Sequence, residues 1–99
     1  AKRVSLDKFI FALGIRHIGE GASKILAFKY KSFSNWKSNM ISSLDKNSES
    51  YLELCSLNNF GVKMAESVNH FFQEESNIKI LEDLEKILDI GDYNFKAME

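Results

Sequence analysis

The groups in this chain best suited to chemistry are main-chain amides at two glycine turns. These are Ile15-Arg16-His17-Ile18-Gly19 and Leu57-Asn58-Asn59-Phe60-Gly61, 42 positions apart. Each turn leads into apolar residues at helical spacing. The first N–H groups of such a helix have no intrahelical acceptor and carry the positive end of its dipole. A phosphate oxygen satisfies them directly. The amides concerned lie around Gly19, Glu20 and Gly21 in the first turn, and around Gly61, Val62 and Lys63 in the second. Glycine lets the backbone bend with no Cβ in the way and lets another backbone approach closely. Ile18 and Phe60, next to the glycines, are expected to plug into a core and lock the turns.

Side chains that can add to this grip are Arg16, Lys24 and His17 near the first turn, with Asn58, Asn59 and Lys63 near the second. Arg16 and Lys63 are the strongest candidates, because each lies at or beside its turn. Binding of this kind reads the backbone and not the bases, and it weakens with salt. Other chemistries find little support. Gly14-x4-Gly19 has the glycine spacing of a phosphate loop, but Glu20-Gly21 stands where Lys-Ser/Thr is required. His17, His70 and Cys55 lack metal-ligand spacing. His70 flanks Phe71 and reads as a partly buried structural residue, and Glu82-Asp83-Glu85 as a wet helix face. No nucleophile–base set or carboxylate pair stands out, so no catalytic residue is assigned.

These turns need helices to hold them. With 99 residues, of which 44% are apolar, the chain has the size of one small domain. It has no proline and five glycines, too few turn formers for a sheet protein, so the reading is all-α. A single cysteine, Cys55, excludes an internal disulfide and fits a reducing compartment. No apolar run reaches the ~18–20 residues that cross a bilayer, and no leader opens the chain. The expectation is a soluble, cytoplasmic protein. The net charge of −1 hides an asymmetry. Residues 1–40 hold eight Lys/Arg against two Asp/Glu, whereas residues 41–99 hold five against twelve. A basic face toward an anion and an acidic face elsewhere follow from that split.

Along the chain, Ser5 is a good N-cap, and Leu6, Phe9, Ile10 and Leu13 form one buried stripe. Gly14 ends that helix at C′. A second helix runs from about Gly19 to Tyr30, with Ala22, Ile25, Leu26 and Tyr30 inward. A third starts near Ser34, with Trp36, Met40 and Ile41 or Leu44 as its apolar stripe. A fourth carries Tyr51, Leu52, Leu54 and Cys55. After the second turn, a fifth places Met64, Ala65, Val68, Phe71 and Phe72 on or near one face. Asn77 caps a sixth, which aligns Leu81, Leu84 and Leu88 and stops at Gly91. The 42-residue offset also pairs Phe9 with Tyr51, Ile10 with Leu52, Ala12 with Leu54, Ser23 with Ala65, and Leu26 with Val68. The architecture is therefore a tandem helix-hairpin-helix domain of five to six short helices with pseudo-two-fold symmetry. It spans residues 1–90, with 91–99 read as a linker.

The stretch Leu6-Asp7-Lys8-Phe9-Ile10-Phe11-Ala12-Leu13-Gly14-Ile15-Arg16-His17-Ile18-Gly19-Glu20 resembles a segment of bacterial NAD-dependent DNA ligases, with its "LxxFLxALGIRHVGE" pattern. Leu57 to Val68 looks like that family's next hairpin, and the resemblance covers about residues 5–90. It implies a piece of a larger ligase holding the last two of four hairpins, ahead of a missing C-terminal domain. Such a domain clamps nicked double-stranded DNA through minor-groove phosphates and works beside the other domains of the parent ligase. The parent uses NAD, magnesium and a structural zinc; by the same resemblance this segment holds none of them. Against the family pattern, Ser23 replaces a usual alanine, and His17 and Asn59 stand where generic turns have a first glycine. Glu66 occupies the place that Lys24 has in the first unit. An alternative of another class is a helical adaptor that kept the fold and docks onto a protein.

Overall fold

The computed structural model describes residues 2–93. Strand β1 (Lys2–Ser5) is followed by helices α1 (Leu6–Ala12), α2 (Glu20–Tyr30), α3 (Phe33–Ser42), α4 (Glu49–Cys55), α5 (Val62–Gln73) and α6 (Glu75–Ile87), and then by strand β2 (Leu88–Gly91). The all-α tandem arrangement holds. The short parallel ribbon that joins the two ends, with Lys2 opposite Leu88 and Ser5 opposite Gly91, has no counterpart in the sequence reading. Four residues per strand are too few for an alternating pattern to stand out. Gly91 therefore does not stop α6; it ends β2, one residue past the boundary drawn at 90. Of the stretch read as a linker, residues 94–99 lie outside the described residues.

Side-chain caps explain where two of the six described helices begin. Ser32 Oγ accepts from Asn35 N–H (3.2 Å) and starts α3, two residues before the start read from sequence. Ser48 Oγ accepts from Tyr51 N–H (3.1 Å) and starts α4. Two expected caps do other work. Ser5 Oγ donates to Asp7 Oδ1 (2.6 Å) and leaves the amides of α1 uncapped. Asn77 lies inside α6, and its Nδ2 donates to the Phe71 carbonyl (3.0 Å), so it closes the end of α5. Gly14 is the left-handed residue (φ 69°) after α1, as read.

The core contains Leu6, Ile10, Leu26, Trp36, Met40, Leu54, Val68, Phe72 and Leu81, each at most 1% exposed. Aromatic edges link the helices. Phe9 meets Phe33 at 5.4 Å between centroids, and Trp36 of α3 meets Phe72 of α5 at 5.4 Å with rings nearly perpendicular. Asn69 Nδ2 donates to Ser43 Oγ (2.9 Å), which itself donates to the Met40 carbonyl (2.6 Å). That chain ties α5 to the end of α3 in the interior.

The repeat is real in the second helix of each unit and fails in the first. Ser23 and Ala65, Leu26 and Val68, Ala27 and Asn69, and Tyr30 and Phe72 are buried pairwise at the 42-residue offset. Ile10 is fully buried, but its partner Leu52 is 61% exposed. Ala12 is exposed, and its partner Leu54 is buried. Seven residues, Leu13–Gly19, separate α1 from α2, but six, Ser56–Gly61, separate α4 from α5. One residue turns a helix by about 100°, so the first helices present different faces.

Tyr30 illustrates an interior polar group with a measurable consequence. Its side chain is 2% exposed and its hydroxyl has no partner among the described residues. Burial, and then the Glu53 carboxylate, push its pKa up to about 12 from the usual 10.0. The neutral phenol is thus the form that the fold favours. This contribution is complete below about pH 10, the ordinary value in an unfolded chain, and is lost as pH rises toward 12. Urea unfolding at pH 8 and pH 11 is expected to show a larger loss of stability for the native chain than for Tyr30→Phe, which has no proton to lose there.

Candidate nucleic-acid interface

Each five-residue turn contains one left-handed residue, to which the first connection adds Gly14 just before it. His17 has φ 67° and Asn59 has φ 61°, at equivalent positions of the two turns. Both are among the residue types that tolerate this region best. The chain then runs through a buried apolar residue, Ile18 (4% exposed) or Phe60 (3%), as the sequence reading required. Ile18 N–H donates to the Ile15 carbonyl (3.0 Å) and Phe60 N–H to the Leu57 carbonyl (3.2 Å), which closes both turns in the same way. The next residue is the N-cap glycine of the following helix, Gly19 or Gly61.

The glycines themselves correct one expectation. Their φ angles are −91° and −83°, which any residue adopts, so the bend does not call for glycine. A Cβ added at Gly19, Gly21 or Gly61 meets nothing within 4 Å. The fold thus has no internal use for the missing side chain. What glycine leaves open is the outside. Gly19, Glu20, Gly21, Gly61, Val62 and Lys63 are all exposed. Among the described residues, their N–H groups have no acceptor, whereas the carbonyls of Gly19 and Gly61 take the N–H of Ser23 (2.9 Å) and Ala65 (3.1 Å). These are helix N-termini with donors aimed at solvent.

The side chains are brought together across units. Arg16 and His17 of the first turn share a groove of about 740 Å³ with Lys63, Glu66, Ser67 and His70 of α5. Asn58 and Asn59 of the second turn share a groove of about 710 Å³ with Lys24, Ile25, Phe28 and Lys29 of α2. Shifting the first set by 42 positions maps Arg16, His17, Glu66, Ser67 and His70 onto Asn58, Asn59, Lys24, Ile25 and Phe28. Each turn therefore faces the second helix of the other unit, as a pseudo-two-fold relation demands. Sequence grouped Lys24 with the first turn and Lys63 with the second; the fold places Lys24 beside the second and Lys63 beside the first. His70 is exposed in the first groove and is not the half-buried structural residue that its neighbour Phe71 suggested.

Charge is divided unequally between the grooves. The first has a cation in the turn itself, Arg16, and Lys63 opposite, diluted by Glu66 and Glu74. The second has a neutral turn but is lined by Lys24, Lys29 and Lys31 with no acid. Lys29 also approaches Glu53 (3.9 Å). No ion pair holds Arg16, Lys24 or Lys63 among the described residues, so all three are free to meet an anion. Sequence reasoning missed Lys29, Lys31 and Ser67; their place at a turn exists only once the units pack.

A family model described as the helix-hairpin-helix motif matches residues 8–81, the span of both hairpins. The chain belongs to the helix-hairpin-helix family. Among proteins similar to this helix-hairpin-helix chain, a DNA ligase of Pelobacter propionicus is 37% identical over 97 residues, 98% of this chain and 14% of that protein. A DNA ligase of Wolbachia pipientis wMel is 47% identical over 88 residues, 88% of this chain and 12% of the ligase. One of Rickettsia bellii is 40% identical over 93 residues, 94% of this chain and 14% of the ligase. The resemblance drawn from residues 6–20 points the same way. The chain spans 12–14% of the length of these relatives.

Proposed function

We propose that this domain binds duplex DNA without sequence preference, through backbone phosphates gripped by the amides at Gly19–Gly21 and Gly61–Lys63. The observation that carries the reading is the pair of exposed N-cap glycines with ordinary backbone angles and open Cβ space. Their one evident use is close approach by something outside the chain, and the donors there suit an anion. Arg16, Lys24 and Lys63 add cations at the same turns. The similarity to DNA ligases supports the setting assigned here: a part of an NAD-dependent ligase that holds a nicked duplex from its minor groove while other domains seal the break. Among the described residues, no cluster of His, Cys, Asp or Glu could hold a metal ion. Under this proposal, NAD, magnesium and structural zinc are bound by other parts of a ligase.

Fluorescence anisotropy with nicked and intact duplexes over a salt series tests the reading. Affinity should fall linearly in log–log form as salt rises, with little change when the base sequence is altered. Arg16→Ala and Lys63→Ala are each expected to weaken binding to every sequence alike, and to shallow the salt slope by about 0.9 for each phosphate no longer neutralised. A slope unchanged in both variants would remove these side chains from the interface. An adaptor role is favoured by exposed apolar side chains, among them Ile80 (50%) and Ile87 (62%) on acidic α6. Absence of any salt-dependent duplex binding would leave that reading standing.

A further inference from the structure

We propose that Ser67 is a positioning residue for the first hairpin. Its hydroxyl holds His17 in the left-handed conformation that presents the amides of Gly19–Gly21. Ser67 Oγ lies 2.8 Å from His17 Nδ1, a bond that crosses 50 positions of sequence and joins one unit to the other. His17 is the residue whose φ of 67° sets the turn. An L-residue in that region is strained unless its surroundings hold it. The second hairpin has no such bond among the described residues. Asn59 stands at the equivalent place with φ 61°, and asparagine is a residue type that visits this region routinely. The residue equivalent to Ser67 there is Ile25, which offers no hydrogen bond. The bond to Ser67 is thus particular to the turn that carries histidine. The hydroxyl can donate to a neutral ring nitrogen or accept from a protonated one, so it serves both states of the imidazole.

The inference rests on the DNA reading for its effect on binding, but not for its effect on the turn. Ser67→Val and Ser67→Thr form a matched pair of nearly equal shape that differ in the hydroxyl. In ¹⁵N-labelled chain, Ser67→Val should shift the His17 Nδ1 resonance and the amide resonances of His17 to Gly21, while Ser67→Thr keeps them near their native positions. Duplex affinity should drop about two- to tenfold in Ser67→Val, the range of one lost hydrogen bond, and recover in Ser67→Thr. Native spectra in Ser67→Val, or identical behaviour of the two variants, would overturn the proposal. If the native chain binds no duplex at all, the DNA reading fails and the binding effect with it, while the spectra still decide whether Ser67 sets the turn.

Discussion

Gly19→Val and Gly61→Val should each weaken duplex binding by about tenfold or more and leave the fold standing. The space around both positions is empty inside the chain, and both backbone angles are ordinary. Valine is a poorer N-cap than glycine, but it also restricts the unfolded chain, so the net change in stability is expected within about 1 kcal/mol. Outside the chain the outcome differs. A branched side chain at the N-cap keeps a phosphate oxygen out of reach of the following amides. Hydrogen bonds from an amide to a charged oxygen contribute about 1.5–3 kcal/mol each, so losing one already amounts to about tenfold. Circular dichroism and urea unfolding check the first half of the prediction, and anisotropy in low salt the second. Native affinity in a folded double variant would show that the hairpin amides do not touch the duplex.

Trp36→Ala should have the largest effect on stability, about 3–5 kcal/mol. The indole is fully buried and touches Phe33 at 6.2 Å and Phe72 at 5.4 Å between centroids. It sits in α3, the connector between the two units, and Phe72 belongs to the second helix of the second unit. Truncation leaves a cavity where the units meet. A domain of this size has roughly 5–15 kcal/mol in all, so the variant stands at the edge of unfolding. Urea titration followed by circular dichroism measures the loss directly. Because Trp36 is fully buried and cannot itself meet DNA, any fall in DNA affinity should track the unfolded fraction and vanish when the comparison is made per folded molecule. A fall beyond that fraction would show that the connector also sets the spacing of the hairpins.

The parts legible in the sequence are those governed by neighbours in the chain. Apolar spacing located all six helices among the described residues, because a helix buries a stripe that repeats every three to four residues. The turns were legible because Ile18 and Phe60 must be buried and His17 and Asn59 tolerate a left-handed backbone. Capping was read less well. Ser5 and Asn77 have the right residue type for an N-cap, yet their side chains found better partners in Asp7 and the Phe71 carbonyl. The ribbon of β1 and β2 was invisible, since it joins residues 86 positions apart over four residues each.

Local chemistry alone was enough to specify the repeat, the two amide clusters and the helical character of this chain, because propensity, caps and turn residues act over a few positions. The pairing of each turn with the helix of the opposite unit came from packing. Burial of both units in one shared core puts Lys63 in the groove of Arg16, Lys24 in the groove of Asn58, and Ser67 against His17. Such neighbours depend on how two apolar surfaces seat against each other, and no spacing within one unit encodes which side chain the other will place at its turn.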